Sequence, residues 1–143
     1  MRFITRQRIH VDRIATAWAI RRFVDPSATF EFVSWRTDAR KLDGIAFDIR
    51  GAELSHHRGR CTLEALIEKY ELADEALTRM AQIIRFADLP HLEPAPAEAA
   101  GVRAIFDGIR ENGESDEARL TCGYVVCDAL YAYCQAKKQG GTV

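Results

Sequence analysis

Residues 11–24 read VDRIATAWAIRRFV, and their apolar positions return every three or four residues. That period is typical of a helix with one face in the core, because 3.6 residues complete each turn. Asp25-Pro26 follows directly and ends the predicted helix, since proline has no backbone N–H to donate. The segment therefore predicts a helix from Val11 to Val24 near the start of the chain.

Three short extended segments surround this helix. Phe3 to Thr5 precedes it, and the alternating stretch TFEFVSW, Thr29 to Trp35, follows it. A third segment, Ala46 to Ile49, lies a little further on. Aromatic and β-branched residues of the kind found here favour strands. The N-terminal third is therefore predicted to contain a small sheet of two or three strands.

The sequence after residue 61 has a helical pattern. Helices are predicted at Thr62 to Glu71, Asp74 to Asp88, Ala97 to Arg110 and Ser115 to Lys137. Thr62 is the predicted N-cap of the first, and the acids that follow Ser115 suit a helix start because they complement its exposed N–H groups. We therefore expect a helix-dominated α+β fold with about five helices, in one domain that covers residues 1–143.

Composition and charge exclude several classes of protein. Apolar residues make up 48% of the chain, which is too many for a disordered protein. No apolar run approaches the roughly 18 residues that span a bilayer, and no secretory signal is recognisable, so a cytoplasmic protein is expected. The formal charge of −1 argues against a protein that coats nucleic acid. The four cysteines lack the spacing of zinc sites and are expected to be reduced, mostly buried thiols.

Two charged residues occupy positions where the helical pattern calls for apolar ones. Arg13 shares a face with Ala17 and Ile20, so its guanidinium is expected near the core with an anionic partner. Asp88 completes an apolar stripe at a helix C-terminus, where the helix dipole disfavours negative charge. Either Arg85, three residues earlier, or a bound metal ion could compensate this carboxylate.

Carboxylate and imidazole groups lie close together around a predicted loop. The stretch RGAELSHHRGR, residues 50–60, has two glycines and no periodicity, and Asp48 precedes it in the predicted third strand. Carboxylate with imidazole suits iron, manganese or zinc. Because adjacent histidines point in different directions, at most one of His56 and His57 is expected to be a ligand. Asp128, inside the apolar run YVVCDALYAYC, is expected to accept a hydrogen bond from a tyrosine or an arginine.

Four blocks of the sequence resemble the C-terminal domain of ChrB-type chromate resistance proteins. They read TRQRIHVDRIATAWAIRRFVDPSATFEFV, AFDIRGAELSHHRGRCTLEALIEKY, IIRFADLP and VVCDALYAYC, and they follow one another in the family's order over nearly the whole chain. The resemblance implies a role in bacterial resistance to chromate, and it places the family histidine at His56. Thr16 and Ala17 replace the usual Cys-Pro, which argues against a redox role at that position.

These observations combine into a predicted site for a metal ion or a tetrahedral oxyanion. Chromate is a dianion of nearly the same shape as sulfate, and guanidinium forks are the groups that hold such anions. The predicted metal ligands are Asp48, His56 and Asp88, the predicted oxyanion ligands are Arg13, Arg22 and Arg85, and the supporting residues are Asp12, Trp18, Glu64 and Asp128.

Three other functions stay open at the level of sequence. The chain could be a metal-dependent enzyme, hydrolytic or redox, in which His56 and the aspartates hold the metal. It could be a DNA-binding regulator of chromate-resistance genes, although no helix-turn-helix with a basic second helix is recognisable, so nucleic acid is not an expected partner of this domain alone. It could also be a scaffold in which the charged motif residues only hold helices together. The expected partners are a small inorganic anion or a metal ion, with a homodimer as the default assembly.

Overall fold

A three-stranded parallel sheet organises the N-terminal part of the molecule. The structure is a computed structural model that describes residues 1–140 and the side chains of residues 1–137. The central strand β1 (Arg2–Arg6) pairs with β2 (Thr29–Val33) on one side and with the two-residue β3 (Ile45–Ala46) on the other. The predicted small sheet is confirmed, and the sequence pattern alone had left its parallel order open.

The third strand is shorter than predicted because the backbone turns at Asp48. Phe47 N still donates to Ile4 O at 3.0 Å, but Asp48 has a φ of +46°, in the left-handed region. Aspartate visits this region more readily than most residues, and no strand continues through it. Asp48 N then donates to Leu54 O at 2.6 Å. Asp48 therefore lies just beyond the carboxyl end of the sheet and not within a strand.

Five α-helices make up most of the described chain, so the helix-dominated α+β prediction is confirmed. Helix α1 is shorter than predicted: the α-helical turns end at Ala19, and Ile20–Val24 form a π-helical turn closed by Asp25 N donating to Ile20 O at 2.8 Å. The bounds are α1 Val11–Ala19, α2 Thr62–Lys69, α3 Glu75–Asp88, α4 Glu98–Asn112 and α5 Asp116–Gly140, with a 3-10 turn at Ala39–Lys41.

The start of α2 differs from the prediction in its cap. Thr62 is the first helical residue and Cys61 is the N-cap, so the predicted Thr62 cap is wrong by one position. The reason is that distant and local carboxylates satisfy the free N–H groups of this helix. Glu64 Oε1 accepts from Cys61 N at 3.0 Å, and the two oxygens of Asp12 accept from Thr62 N and Leu63 N.

Helix α1 lies at the centre of the core and packs against α2, α3 and α5. Its closest approach is at Gly123 of α5, where a Cβ atom would lie 2.3 Å from Ile14 Cγ2. Glycine is therefore required there, because any larger residue would overlap a fully buried isoleucine. Further along, the rings of Trp18, Phe23 and Tyr131 pack with centroids 5.5–5.9 Å apart.

The cysteines agree with the expectation of free, mostly buried thiols. Cys61, Cys127 and Cys134 are buried and Cys122 is exposed, and all four are free thiols. In the part of the chain that the structure describes, no helix combines the length and the apolar character needed to cross a membrane.

Candidate functional site

The candidate site lies at the carboxyl end of the sheet. Arg6 ends β1, Asp48 follows β3, and α1 begins a few residues after Arg6. The strand order is β2-β1-β3, so Arg6 and Asp48 follow neighbouring strands at the same end of the sheet. In parallel sheets the carboxyl ends of the strands are where ligands commonly bind.

The imidazole of His56 is surrounded by three carboxylates from separate parts of the chain. Nδ1 lies 3.0 Å from Asp48 Oδ1, and Nε2 lies 2.5 Å from Asp88 Oδ2 and 3.2 Å from Asp12 Oδ2. The neighbouring His57 is exposed, with Nδ1 3.1 Å from Ser55 O. The structure thus brings together the three predicted metal ligands and adds Asp12, and it places only one of the two histidines in the cluster.

Asp12 reaches this cluster from the first turn of α1 and is almost completely buried. Its carboxylate accepts from Thr62 N at 2.9 Å and from Leu63 N at 3.2 Å, so it caps α2 while Oδ2 also faces His56. Burial raises the pKa of Asp12 well above its usual range, and the nearby charges of Asp48 and Asp88 raise it further. A buried acid held in this way favours a cation beside it.

Arg13 confirms the prediction of a guanidinium near the core with an anionic partner. Its side chain is 11% exposed, and Nε lies 3.4 Å from Asp48 Oδ2 and donates to Asp48 O at 3.3 Å. Burial lowers the pKa of Arg13, and the carboxylate of Asp48 opposes that change. Arginine keeps its charge under such conditions, so Asp48 is held between a guanidinium and the imidazole of His56.

The electrostatics of the cluster favour a protonated histidine in the absence of a ligand. The hydrogen bonds to Asp48 and Asp88 raise the pKa of His56 to about 10, against the opposing effect of burial. Burial of Asp48 raises its pKa, but the hydrogen bond to His56 and the charge of Arg13 outweigh burial and lower the pKa below its usual range. Three carboxyl groups therefore face two cations, and once Asp12 is ionised the cluster carries an excess of negative charge that a metal ion could neutralise.

The distances around His56 Nε2 fit the edges of a metal coordination shell. Metal–ligand bonds of about 2.1 Å place neighbouring ligand atoms about 3.0 to 3.4 Å apart. The separation from Nε2 to Asp12 Oδ2, 3.2 Å, lies in this range, whereas Asp88 Oδ2, at 2.5 Å, is at hydrogen-bond distance and would have to move outwards by about 0.5 Å to share a metal with Nε2. One ligand atom each from Asp12, Asp48 and His56 also lie within 4.8 Å of one another. Because Nδ1 is hydrogen-bonded to Asp48, Nε2 is the nitrogen available to a metal.

A cleft of about 420 Å³ opens in front of this cluster. Arg6 and Arg13 line this cleft together with His56 and Asp88. Positively and negatively charged side chains therefore face the same cleft. The side chain of His56 is 33% exposed, which leaves its Nε2 region within reach of solvent. The residues that line the cleft are Arg6, Arg13, Asp48, His56, His57, Gly59, Arg60, Asp88 and Leu89.

Arg85 and Glu64 form a separate pair beside the site. Arg85 Nη1 lies 3.3 Å from Glu64 Oε2, and the other oxygen of Glu64 accepts from Cys61 N. The alternative in which Arg85 compensates Asp88 is wrong, since Asp88 contacts His56 and is not paired with Arg85 within the described residues. Arg85 is not among the residues lining the cleft, so its role as an oxyanion ligand stays a prediction.

Three other predicted residues form a second cluster between α1 and α5. Trp18 Nε1 donates to Asp128 Oδ1 at 2.8 Å, and Arg22 Nη1 lies 3.5 Å from the same oxygen. The guanidinium carbon of Arg22 lies 4.7 Å from the ring centroid of Tyr131. Asp128 thus has an arginine partner as expected, although it is exposed. Trp18, Arg22 and Asp128 line a cavity of about 260 Å³ that shares no residue with the His56 cleft. The structure therefore does not bring Arg22 together with Arg13.

Two contributions to the site were not predicted from the sequence. Arg6 lines the cleft, and Asp12 faces Nε2 as closely as a ligand would. Arg6 lies directly after the predicted first strand, and a polar residue at the end of a strand is the signal that could have identified it. Asp12 had been assigned a supporting role because helix periodicity alone does not show that its carboxylate crosses to α2.

The chain is similar to a known protein family and to a curated protein. The family model described as ChrB, C-terminal domain, matches residues 3–134. A curated relative named Protein ChrB, from Cupriavidus metallidurans, is 41% identical over 133 residues, which is 90% of this chain and 39% of the relative. The chain thus spans about two fifths of that relative's length. No solved structure matches the chain.

Proposed function

This chain belongs to the ChrB C-terminal domain family, and from that membership we propose that it acts in chromate resistance in the cytoplasm, by binding a divalent metal ion at His56 and a tetrahedral oxyanion beside it. The observation that carries the proposal is the convergence on one imidazole of carboxylates from α1, from the end of β3 and from the end of α3. Such convergence of distant ionisable groups is typical of functional sites.

In this proposal the metal binds Nε2 of His56 together with Asp12 and Asp88. Asp48 holds Nδ1–H and so fixes the tautomer and the orientation of the ring, as carboxylates do behind many metal-bound histidines. This refines the set predicted from the sequence, in which Asp48 was itself a ligand. One imidazole with two carboxylates suits iron, manganese or zinc, and it leaves coordination positions for water or an anion.

The oxyanion is proposed to lie in the cleft between the metal and two guanidinium groups. Arg6 and Arg13 line that cleft beside His56. A tetrahedral dianion there would accept hydrogen bonds from the guanidinium groups and could occupy an open position of the metal. Without the metal, the carboxylates of Asp48 and Asp88 would repel the anion, so we expect anion binding to depend on metal loading.

The proposal is tested by calorimetric titration of chelator-treated protein with Mn²⁺, Zn²⁺ and, without oxygen, Fe²⁺. We expect one ion per chain, with affinity reduced at least about 100-fold in His56→Asn, since a ligand is removed. His91→Asn is the matched control, because it changes an exposed histidine that does not line the cleft, and it should bind as the unmodified protein does. Absence of stoichiometric binding by all three metals would refute the metal site.

A second titration addresses the anion. Sulfate, which has the shape of chromate but does not oxidise the metal, is added to the Mn²⁺-loaded and the metal-free protein. We expect tighter binding to the loaded protein, and weaker binding in Arg6→Gln because that guanidinium faces the cleft. Equal binding to both forms of the protein would separate anion recognition from the metal and contradict this part of the proposal.

A metal-dependent enzyme is the second candidate. The partial exposure of His56 and the open cleft favour it, since substrate and water could both reach a metal at Nε2. Turnover of an activated phosphate ester by the Mn²⁺-loaded protein, lost in Asp88→Asn, would support this function. Homodimerisation and DNA binding stay predictions from the sequence, to be measured by sedimentation and by gel shift.

A further inference from the structure

A second groove, rich in arginine, lies beside the His56 cleft. Its volume is about 400 Å³, and it shares Arg6, Arg13 and Asp88 with the cleft. Five of its lining residues are arginines and one is a carboxylate, so it carries a large excess of positive charge. The residues that line it are Arg6, Gln7, Arg8, His10, Arg13, Trp35, Asp88, Arg103 and Arg110.

Part of this charge is neutralised by Asp107, which lies behind the groove. Asp107 Oδ1 lies 2.8 Å from His10 Nε2 and 3.6 Å from Arg110 Nη2, and Oδ2 lies 3.8 Å from Arg103 Nε. Arg103 also donates to the backbone carbonyls of Ala87 and Asp88 at the end of α3, which fixes its position. Arg110 Nε also lies 4.0 Å from the exposed Glu111 Oε1, so two carboxylates serve two arginines and a histidine, and the groove keeps the positive charge of its other arginines.

The remaining arginines are available to a ligand. Among the side chains of residues 1–137, neither Arg6 nor Arg8 forms an ion pair. Burial lowers the pKa of His10, so this imidazole adds little positive charge at neutral pH. Arg6 and Arg8 could share one oxyanion, whereas a chain of two or more phosphates can also reach Arg110, whose partner Asp107 is shared with His10 and Arg103.

An aromatic ring stands at the same groove. Trp35 is 64% exposed, and the guanidinium carbon of Arg36 lies 5.2 Å from the centroid of its indole, over one face. An exposed tryptophan next to a cationic groove is the combination that binds the base and the phosphates of a nucleotide, because the ring stacks and the arginines pair.

We propose that this groove binds a small nucleotide carrying at least two phosphates, with its phosphates between Arg6, Arg8 and Arg110 and its base against Trp35. The shared residues Arg6 and Arg13 would bring one phosphate to the edge of the His56 cleft. The inference goes beyond the metal and oxyanion site and does not require that a metal is bound.

The fluorescence of Trp35 tests the proposal in metal-free protein. Trp18 is only 4% exposed, so a ligand in the groove changes chiefly the emission of Trp35. Adenosine diphosphate, pyrophosphate and adenosine are titrated separately. We expect saturable quenching by the diphosphate, with a Kd at least about tenfold lower than that of either fragment, because phosphate and base contacts contribute together.

Charge-removing variants identify the groove as the binding site. Arg8→Asn keeps the positive φ of 61° at this position accessible, since asparagine tolerates left-handed backbone, and it is combined with Arg110→Gln. This double variant should weaken diphosphate binding at least about tenfold. The matched control is Arg58→Asn with Arg79→Gln, which removes the same charge from a left-handed loop residue and from a helix outside the groove, and its Kd should change less than about twofold.

Two outcomes would overturn the proposal. Equal affinity for pyrophosphate and the nucleotide would show that the base makes no favourable contact. Tighter binding of a single-stranded oligonucleotide than of the diphosphate would show that the ligand is nucleic acid and not a small nucleotide. His56→Asn separates this inference from the proposed function, because it should abolish metal binding while the metal-free variant still binds the diphosphate.

Discussion

Metal binding at His56 should release a proton, and this makes its pH dependence a direct test of the site. The hydrogen bonds to Asp48 and Asp88 raise the pKa of His56 to about 10, so both ring nitrogens carry protons at neutral pH. A metal at Nε2 has to displace one of these protons. The experiment therefore compares titrations with Mn²⁺ carried out at pH 7.5 and at pH 8.5.

The magnitude follows from the pKa. At pH 7.5 about 0.3% of His56 is neutral, so the apparent affinity is roughly 300-fold lower than that of the deprotonated imidazole. Below pH 10 each additional pH unit raises the neutral fraction about tenfold, and the Kd should fall by the same factor. Nearer pH 7 the slope should steepen, because burial also raises the pKa of Asp12 to about 7 and this carboxyl then loses a proton as well.

Calorimetry in buffers of different ionisation enthalpy measures the released protons directly. At pH 8 we expect about one proton per metal ion, together with a tenfold lower Kd at pH 8.5 than at pH 7.5. His91→Asn serves as the control and should give the same proton count, since this exposed histidine does not line the cleft. A proton count near zero, or a Kd independent of pH, would show that Nε2 is not a ligand and would refute this reasoning.

Three further predictions concern stability and are measured by urea or thermal unfolding. Gly123→Ala should lower the free energy of unfolding by about 1–3 kcal/mol because its Cβ overlaps Ile14, whereas Gly108→Ala in α4, where the added Cβ meets open space, should raise it by up to about 1 kcal/mol. Glu64→Ala should cost about 1–2 kcal/mol through loss of the α2 cap and of the Arg85 partner, while Glu68→Ala, which removes an exposed pair with Arg60, should cost less than about 0.5 kcal/mol. In metal-free protein the raised pKa of His56 gives stability that is complete below about pH 6.5 and is lost as pH rises towards 10, so we expect a decrease of about 2 kcal/mol after allowance for its partial exposure, absent in His56→Asn.

The helices and the small sheet were predictable because their patterns are local. Apolar periodicity and the acids at helix starts located the later helices to within three residues of their ends. The π-helical turn at Ile20 was not predictable, since it keeps the apolar rhythm of an α-helix and differs only in its hydrogen bonds. The end of β3 was missed for a similar reason, because the residues around Asp48 do not indicate that its backbone is left-handed.

The site was predictable in its chemistry but only partly in its geometry. Arg13 and Asp88 were identified because a charge on an apolar face needs a partner, and both lie at the cluster. Arg22 and Arg85 carry the same charge on helices that are also close to the core, and the sequence did not show that aromatic rings hold one and Glu64 holds the other. Which charges meet depends on contacts between distant segments, and these follow from packing.

Asp12 contacts both the His56 site and the first turn of α2, so ligand binding at the site should affect that turn. Its two oxygens anchor the backbone amides of residues 62 and 63 while one of them also faces the imidazole. A cation that binds this carboxylate should weaken the hydrogen bonds that it accepts from those amides. The amide hydrogens of Thr62 and Leu63 should therefore exchange faster when the site is occupied, which nuclear magnetic resonance can measure.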